Sequence, residues 1–340
     1  MSKQKNKVTI REVAQRADVS VATISRVFND SGLVTEKTRD RIHQIMEQMR
    51  YIPNASARSL SRNKTETIGL LLPDLYGEFF SEIIRGADEI AHKEKYHLLV
   101  SSSHSNKEEL KTAIKMMSGR VDGFIVMSPH LDTDTLLTPQ LSLVPTVILG
   151  SSLSTSAFKY TSICIDNIGG AKLVTQHLIE LGHRRIAIIR GDVGNEDADG
   201  RLAGYLAMHK NAKIKVIDEY IVNGDFTEHT GYRAAQQLLS MRKRPTAIFA
   251  SNDEMAIGVL RCLRENKVSV PGEIAVAGFD DIQIANLIHP SLTTVHVNIS
   301  EVGSLAVEQL FIAMKRTNGN QYRKTIVLPA QLIVRESTLV

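Results

Sequence analysis

Cysteine is scarce in this sequence, with two among 340 residues, Cys164 and Cys262. They lie far apart in apolar-patterned segments, which excludes a disulfide-stapled scaffold and points to a reducing compartment, the cytoplasm, with both thiols structural. Long hydrophobic runs are lacking too. None approaches the ~18–20 residues that span a bilayer, so no membrane partner is expected. The Lys-rich, polar N-terminus has no apolar stretch of the kind a secretory signal needs. Catalytic motifs are missing as well: no Gly-rich phosphate loop ending in Lys-Ser/Thr, no His-Glu-x-x-His, no Gly-x-Ser-x-Gly elbow. No cluster has the spacing of metal ligands. No catalytic residue, metal or other cofactor is therefore expected, and an enzyme is the weaker reading.

What is present is 43% apolar residues in a chain long enough for two or three domains. The formal charge of +4 is unevenly placed. Residues 1–65 carry 13 Lys/Arg against 6 Asp/Glu, and the remainder 28 against 31. A basic head on a mildly acidic body implies that the head alone meets a polyanion.

The head opens with a capping box, Thr9 and Glu12, followed by an apolar stripe of Val13, Ala14 and Ala17, which predicts a helix over about 10–17. Asp18 stands where the chain must turn sharply, and Val19 plugs the turn. Ser20 is a good N-cap for a second helix, Val21 to Asn29, with Ile24, Val27 and Phe28 facing inward. Thr35 is expected to cap a third helix with Ile42, Ile45, Met46 and Met49 on one face. Three short helices with a tight turn between the first two make a helix-turn-helix. The second helix turns Val21, Ala22, Ser25 and Arg26 away from the core. Arg26 can donate two hydrogen bonds to guanine, and Val21 or Ala22 can touch a thymine methyl. Ser20, Thr23 and Ser25 suit phosphate oxygens. Pro53 then ends a helix, and Asn54 can cap about two further turns, too short to stand alone in water. Ala57 permits close approach of two copies, and Leu60 can wedge into a minor-groove step. The same segment also reads as a plain linker.

Three runs carry a resemblance: Val8-Thr9-Ile10-Arg11-Glu12-Val13-Ala14, Val19-Ser20-Val21-Ala22-Thr23-Ile24-Ser25-Arg26-Val27, and Tyr51-Ile52-Pro53-Asn54-Ala55-Ser56-Ala57-Arg58-Ser59-Leu60. The chain resembles the LacI/GalR family of bacterial repressors. The resemblance implies a helix-turn-helix domain over 1–62 with a hinge helix at about 54–61, a homodimer and a palindromic double-stranded operator. The candidate DNA contacts are Thr9, Ser20, Val21, Ala22, Thr23, Ser25, Arg26, Asn29, Tyr51, Asn54, Ala57 and Leu60. Asp18 replaces the Gly usual in the family. No C-terminal leucine heptad follows, so a dimer is expected rather than a tetramer.

Beyond a polar link at 63–66, short apolar runs alternate with helical patterns. Strands are expected at Ile68–Leu72, His97–Ser101, Gly123–Met127, Thr146–Leu149, Ser162–Ile165, Arg185–Ile189, Ala247–Ala250 and Ile274–Ala277. Helices are expected at Phe79–His92, Ala171–Leu181, Gly231–Leu239 and Met255–Leu263. Such alternation predicts an α/β fold of parallel sheets with helices on both faces. Ligands of such sheets bind beyond the carboxyl ends of the strands, which gathers the loops near Asp74, Gly150, Gly191, Ser251 and Phe279.

The resemblance runs on to Arg335-Glu336-Ser337-Thr338 and implies a two-lobed domain over 66–340, like the periplasmic binding proteins. Its N-lobe takes about 66–165 and 297–325, and its C-lobe about 166–296 and 326–340. It further implies that Arg201 and Asp280 grip a small-molecule effector, with Asn252 and Phe226 as polar and aromatic contacts and Phe79 and Phe80 facing the cleft. A carboxylate and a guanidinium can hold adjacent sugar hydroxyls while an aromatic covers an apolar sugar face, so a sugar or sugar derivative is expected. The alternative for Arg201 and Asp280 is a structural salt bridge, and for at least one of the two phenylalanines it is core packing. Asn195 and Asp197 either add acceptors or sit favourably at a helix start. Gly150 stands where many sugar-responsive relatives carry a charge. The alternatives are a nucleoside or purine effector, or a phosphorylated partner protein, for which the acidic segment Glu301–Leu310 is a poor surface.

Overall fold

The computed structural model describes residues 8–28, 33–51, 64–128, 138–150, 160–315 and 324–339. The chain divides into two units, Met1–Thr65 and Glu66–Val340.

In the first unit α1 (Ile10–Arg16) begins at the expected capping box: the Thr9 N–H donates to the Glu12 carboxylate (2.7 Å) and the Glu12 N–H to the Thr9 hydroxyl (3.4 Å). Asp18 turns the chain with φ 47°, and the Val19 N–H reaches back to the Ala14 carbonyl at 3.1 Å. Asp tolerates this left-handed conformation better than most residues with a side chain. The Thr23 N–H donates to Ser20 Oγ (3.1 Å), and α2 follows over Val21–Phe28. Thr35 stands before α3 (Glu36–Gln48), yet it makes no side-chain cap; its hydroxyl pairs with that of Thr38 at 2.9 Å. Val13, Ala14, Ala17, Ile24, Val27, Ile42 and Met46 form the core where the three helices meet. At roughly 1.5–3 kcal/mol for each large side chain buried, this small core is what holds the unit together. The expected hinge helix at 54–61 lies outside the described residues.

The second unit carries two six-stranded sheets. The first contains β1 (Thr67–Leu72), β2 (His97–Ser102), β3 (Gly123–Met127), β4 (Thr146–Leu149), β5 (Thr161–Ile165) and β11 (Thr325–Leu328), in the order β2-β1-β3-β4-β5-β11 and parallel throughout. The second contains β6 (Ile186–Arg190), β7 (Ile221–Asn223), β8 (Ala247–Ala250), β9 (Ala275–Asp280), β10 (Thr293–His296) and β12 (Gln331–Ile333), in the order β7-β6-β8-β9-β10-β12. Only β12 runs antiparallel there. Helices cover the sheets: α4 (Glu78–Lys93), α5 (Lys107–Met117), α6 (Pro139–Ser142) and α11 (Ile299–Met314) with the first; α7 (Asn167–Glu180), α8 (Glu196–Asn211), α9 (Glu228–Leu239) and α10 (Asp253–Glu265) with the second. Most of the strand runs read from the sequence are central strands buried on both faces, hence continuously apolar; β2, at the sheet edge, is partly exposed.

The chain passes between the sheets after Ile165, between His296 and Ile299, and between Leu328 and Gln331. The last passage differs from the expected one near 325. Ile326, Val327 and Leu328 pair with Ile163, Cys164 and Ile165, keeping this stretch in the first sheet until Pro329, which has no N–H to continue the ladder. No described helix is long and apolar enough to cross a membrane.

Candidate functional site

Two surfaces follow from these elements. On the first unit, Val21, Ala22 and Arg26 are exposed along α2, with Val21 40% accessible despite its apolar side chain. Ser20 is exposed, and Thr23 and Ser25 are half-buried beside it, the Ser20 and Thr23 hydroxyls lying 3.0 Å apart. Thr9 is exposed but engaged in its cap. Tyr51 packs half-buried against the unit's core. An exposed guanidinium beside two small apolar side chains, rimmed by hydroxyls, has the chemistry of a major-groove reader. Asn29, Asn54, Ala57 and Leu60 lie outside the described residues.

On the second unit a cavity of about 250 Å³ opens beyond the carboxyl ends of strands from both sheets. The first sheet lines it after β1 (Asp74, Glu78, Phe79, Phe80), β3 (Met127, Ser128) and β4 (Gly150). The second lines it after β6 (Asn195, Asp197, Arg201), β7 (Phe226), β8 (Asn252, Glu254) and β9 (Asp280). Both sheets reverse strand order at this place, β1 against β3 and β6 against β8, which is where open parallel sheets leave a crevice. The volume is near the low end of small-molecule sites, roughly 300–1,000 Å³. It suits a metabolite and not a macromolecule.

Arg201 sits at the floor, 3% accessible. Its Nε donates to Asn167 Oδ1 (2.8 Å), its Nη1 to the Ser251 carbonyl, and its Nη2 lies 3.3 Å from Asp280 Oδ1. The guanidinium stacks on Phe279, 3.8 Å from the ring centroid. Two of its five N–H groups thus donate to the protein, and the Nη2 group faces Asp280 as an ion pair. The helix that carries Arg201 comes close because Gly204 faces α7: a Cβ there would meet the Ile168 carbonyl at 2.5 Å. That crossing sets Asn167 at the start of α7 between two partners, Arg201 and Asp197 (Nδ2 to Oδ1, 2.6 Å).

Asp280 ends β9 with φ 110°, and Asp281 follows at φ 56°. The left-handed turn at Asp281 is one Asp tolerates, but the φ of Asp280 does not suit a residue with a Cβ, so its neighbours must enforce it. The carboxylate of Asp253, fully buried, accepts from the Ile282 N–H (3.0 Å) and the Thr294 hydroxyl (2.6 Å). Asp281 is held by Arg335 Nη2 at 2.7 Å and by His296 Nδ1 at 2.9 Å. Asp280 Oδ1 is buried without a hydrogen-bond partner among the described residues, its contact with Arg201 being an ion pair. Burial pushes the Asp280 pKa up to about 7 against the pull of Arg201, with the Asp197 charge adding to the rise. Burial likewise raises Asp197, opposed by Arg201 and Asn167, and raises Asp253 well above the usual carboxylate range, with the Asp280 charge as the second cause.

The other expected contacts have double duties. Asn195 caps α8 through Oδ1, accepting from the Asp197 and Ala198 N–H groups, and Asn252 caps α10 the same way while its Nδ2 donates to the Phe226 carbonyl (2.9 Å). Phe226 takes φ 68° and lies over Gly191, where any Cβ would strike its ring at 2.1 Å. Phe79 and Phe80 stack edge to face, 5.3 Å between centroids, half in the cleft and half against the core. His183 pairs with the Thr246 hydroxyl at 3.0 Å, and burial lowers its pKa, as befits a neutral structural residue. Asn167, Glu78 and Glu254 were not foreseen from the sequence. Glu78, on the first sheet's side, accepts from the Gln283 N–H on the second's, so one hydrogen bond already links the lobes across the cleft.

Residues 9–54 match the family described as bacterial regulatory proteins, lacI family, and residues 175–338 match a periplasmic binding protein-like domain. The chain is 36% identical over 332 residues to the HTH-type transcriptional repressor PurR of Proteus mirabilis, covering 97% of this chain and 96% of that protein. It is 35% identical over 334 residues to catabolite control protein A of Priestia megaterium, covering 97% and 99%. The crystal structure of the Lac repressor dimer bound to operator and the anti-inducer ONPF superposes with a TM-score of 0.85 at 29% identity, covering 98% of this chain and 100% of the other.

Proposed function

This chain belongs to the lacI family of bacterial regulatory proteins, and from that premise we propose that its cleft binds a sugar or sugar derivative that controls how tightly α2 holds an operator. The chain is a DNA-binding transcription regulator. Its proposed action is that of a cytoplasmic repressor, working as a homodimer on a palindromic site and catalysing no reaction. The observation that carries the effector reading is the Arg201–Asp280 pair, set where strand ends of both sheets converge and left with unused hydrogen-bonding capacity on each side. Vicinal hydroxyls can accept from Arg201 and donate to Asp280, while Phe226 and the two N-lobe phenylalanines cover the apolar face. Since the lining comes from both sheets, a ligand touches both lobes. It therefore favours the closed arrangement over the open one, and that differential affinity is what coupling requires.

Control by a phosphorylated partner is disfavoured by α11, whose exposed positions include Glu301 and Glu308. A phosphoryl group seeks Arg at such a surface.

The reading is tested by calorimetric titration of the full chain with neutral mono- and disaccharides. Saturable binding that Asp280→Asn removes is expected, and a sugar bound equally well by that variant would place its site elsewhere. A pH dependence follows from the same carboxyl group. A ligand hydroxyl that donates to Asp280 favours its ionised form, so the bound pKa falls below the value of about 7 in the empty cleft. Binding near pH 7 then releases a fraction of a proton, and affinity drops as pH falls below 7, by at most about tenfold per unit. Titrations in buffers of different ionisation enthalpy measure the released proton. Uptake of a proton instead would show that the ligand prefers Asp280 neutral.

A further inference from the structure

Taking the cleft as the effector site, we propose that it selects by charge: its ligand carries no anionic group, which admits neutral or amine-bearing polyols and excludes sugar phosphates, uronates and nucleotides. Among the described residues that line the cavity, nine are Asp or Glu, one is Arg, and none is Lys or His.

Helix N-termini are the natural rival to this inference, because their N–H groups and dipoles attract phosphate. Four helices start at the cavity: α4, α8, α9 and α10. Each already holds carboxylates in its first turn, Glu78 on α4, Glu196 and Asp197 on α8, Glu228 on α9 and Glu254 on α10 among them. On three of the four the N-cap side chain also accepts from the leading N–H groups: Asn195, Thr227 and Asn252. At about half a positive charge per helix end, four ends and one guanidinium supply about +3, which the nine carboxyl groups outweigh even with Asp280 partly protonated and Glu228 paired with Arg261. The charge of that guanidinium is already balanced by its ion pair with Asp280.

A second observation concerns what the floor still wants. Asp280 Oδ1, on a residue 5% accessible, has an ion pair with Arg201 but no hydrogen-bond donor among the described residues. A hydroxyl or an ammonium group brings one. A phosphate or carboxylate brings acceptors only, and each would sit against Asp280, Asp197 and Glu254. Glu254 is already raised by burial and by the charges of Glu78 and Glu228, so further negative charge there adds to an existing repulsion.

The test uses the full chain and a panel of matched probes: neutral hexoses, pentoses and disaccharides, their 2-amino counterparts, and their phosphates and uronates. Binding is read by thermal shift and calorimetry. Saturable binding confined to the neutral or amino members is expected, with at least tenfold preference over the matched anion at low salt. Glu254→Gln should narrow that preference several-fold, and 0.5 M NaCl should narrow it as well. A phosphate or uronate that binds as tightly as its neutral parent overturns the inference while leaving the effector reading intact. A panel with no binding member overturns that reading, and this inference with it.

Discussion

Arg201→Ala is expected to abolish the ligand response and to cost the second unit about 3–5 kcal/mol, the usual loss when one member of a buried charge pair is removed. The size follows from what the guanidinium touches. Without it Asp280 keeps its strained backbone and its burial but loses its counter-charge, while Asn167 and the Ser251 carbonyl each lose a donor. Burial raises both Asp197 and Asp280 in the intact site, and the Asp197 charge, which already raises Asp280, would then act without the opposing pull of Arg201. Protonation of Asp280 relieves part of the cost, which gives the loss a pH signature. The folded pKa of Asp280 lies above its unfolded value, so the unfolded state holds fewer protons and stability falls as pH rises toward the folded pKa. In the intact protein that fall ends near 7; in the variant it continues further up. The deficit between the two should therefore widen above pH 7, as measured by denaturant unfolding at pH 6 and 8. A constant deficit would assign the loss to packing against Phe279 in place of charge. Retained ligand response would remove Arg201 from the site altogether.

Arg26→Ala acts at the other end of the chain. It should cost roughly 1–3 kcal/mol in discrimination between the operator and an unrelated duplex, a loss of about fivefold to 150-fold. Arg26 stands exposed on α2 beside Val21 and Ala22, while the core of the unit is built from residues of the opposite face, Ile24 and Val27. The substitution should therefore leave the unit folded. Nonspecific affinity should change little, because phosphate contacts carry most of it. Equal losses on both duplexes would make Arg26 a phosphate contact and shift base reading to its neighbours.

The sequence made the alternation of the second unit readable because its central strands are buried on both faces and so appear as unbroken apolar runs, Gly123–Met127 and Ala247–Ala250 among them. Three strands of the second sheet were hidden for a complementary reason. β7 and β12 are three residues long, and β10 opens with Thr293 and Thr294, polar in sequence yet buried in the structure. Their polar groups are satisfied by distant residues, Thr293 by Ser337 and Arg335 and Thr294 by Asp253, and pairings of that range leave no local pattern. The helix bearing Arg201 was obscured by Gly200 and Gly204, which read as turn residues but provide the close crossing with α7. Asn167, held between Arg201 and Asp197, could be seen only once that crossing was known. Asp18 was a departure from the expected glycine, and the structure absorbs it in a left-handed turn. Arg201, Asp280 and Phe226 were named through family resemblance; their geometry explains why those residue types belong there, in particular the strained ends of β9 and the contact of Phe226 with Gly191.

On the proposed function, occupancy of the Arg201–Asp280 cleft sets the affinity of α2 for one DNA sequence. The most direct test is fluorescence anisotropy of the full chain on a palindrome selected from random duplexes and on a scrambled control, each with and without a cleft-binding sugar. Tighter binding to the palindrome is expected, with a sugar-dependent shift on the palindrome alone, lost in Arg201→Ala. Equal, salt-sensitive binding to both duplexes, unmoved by any ligand that fills the cleft, would contradict it.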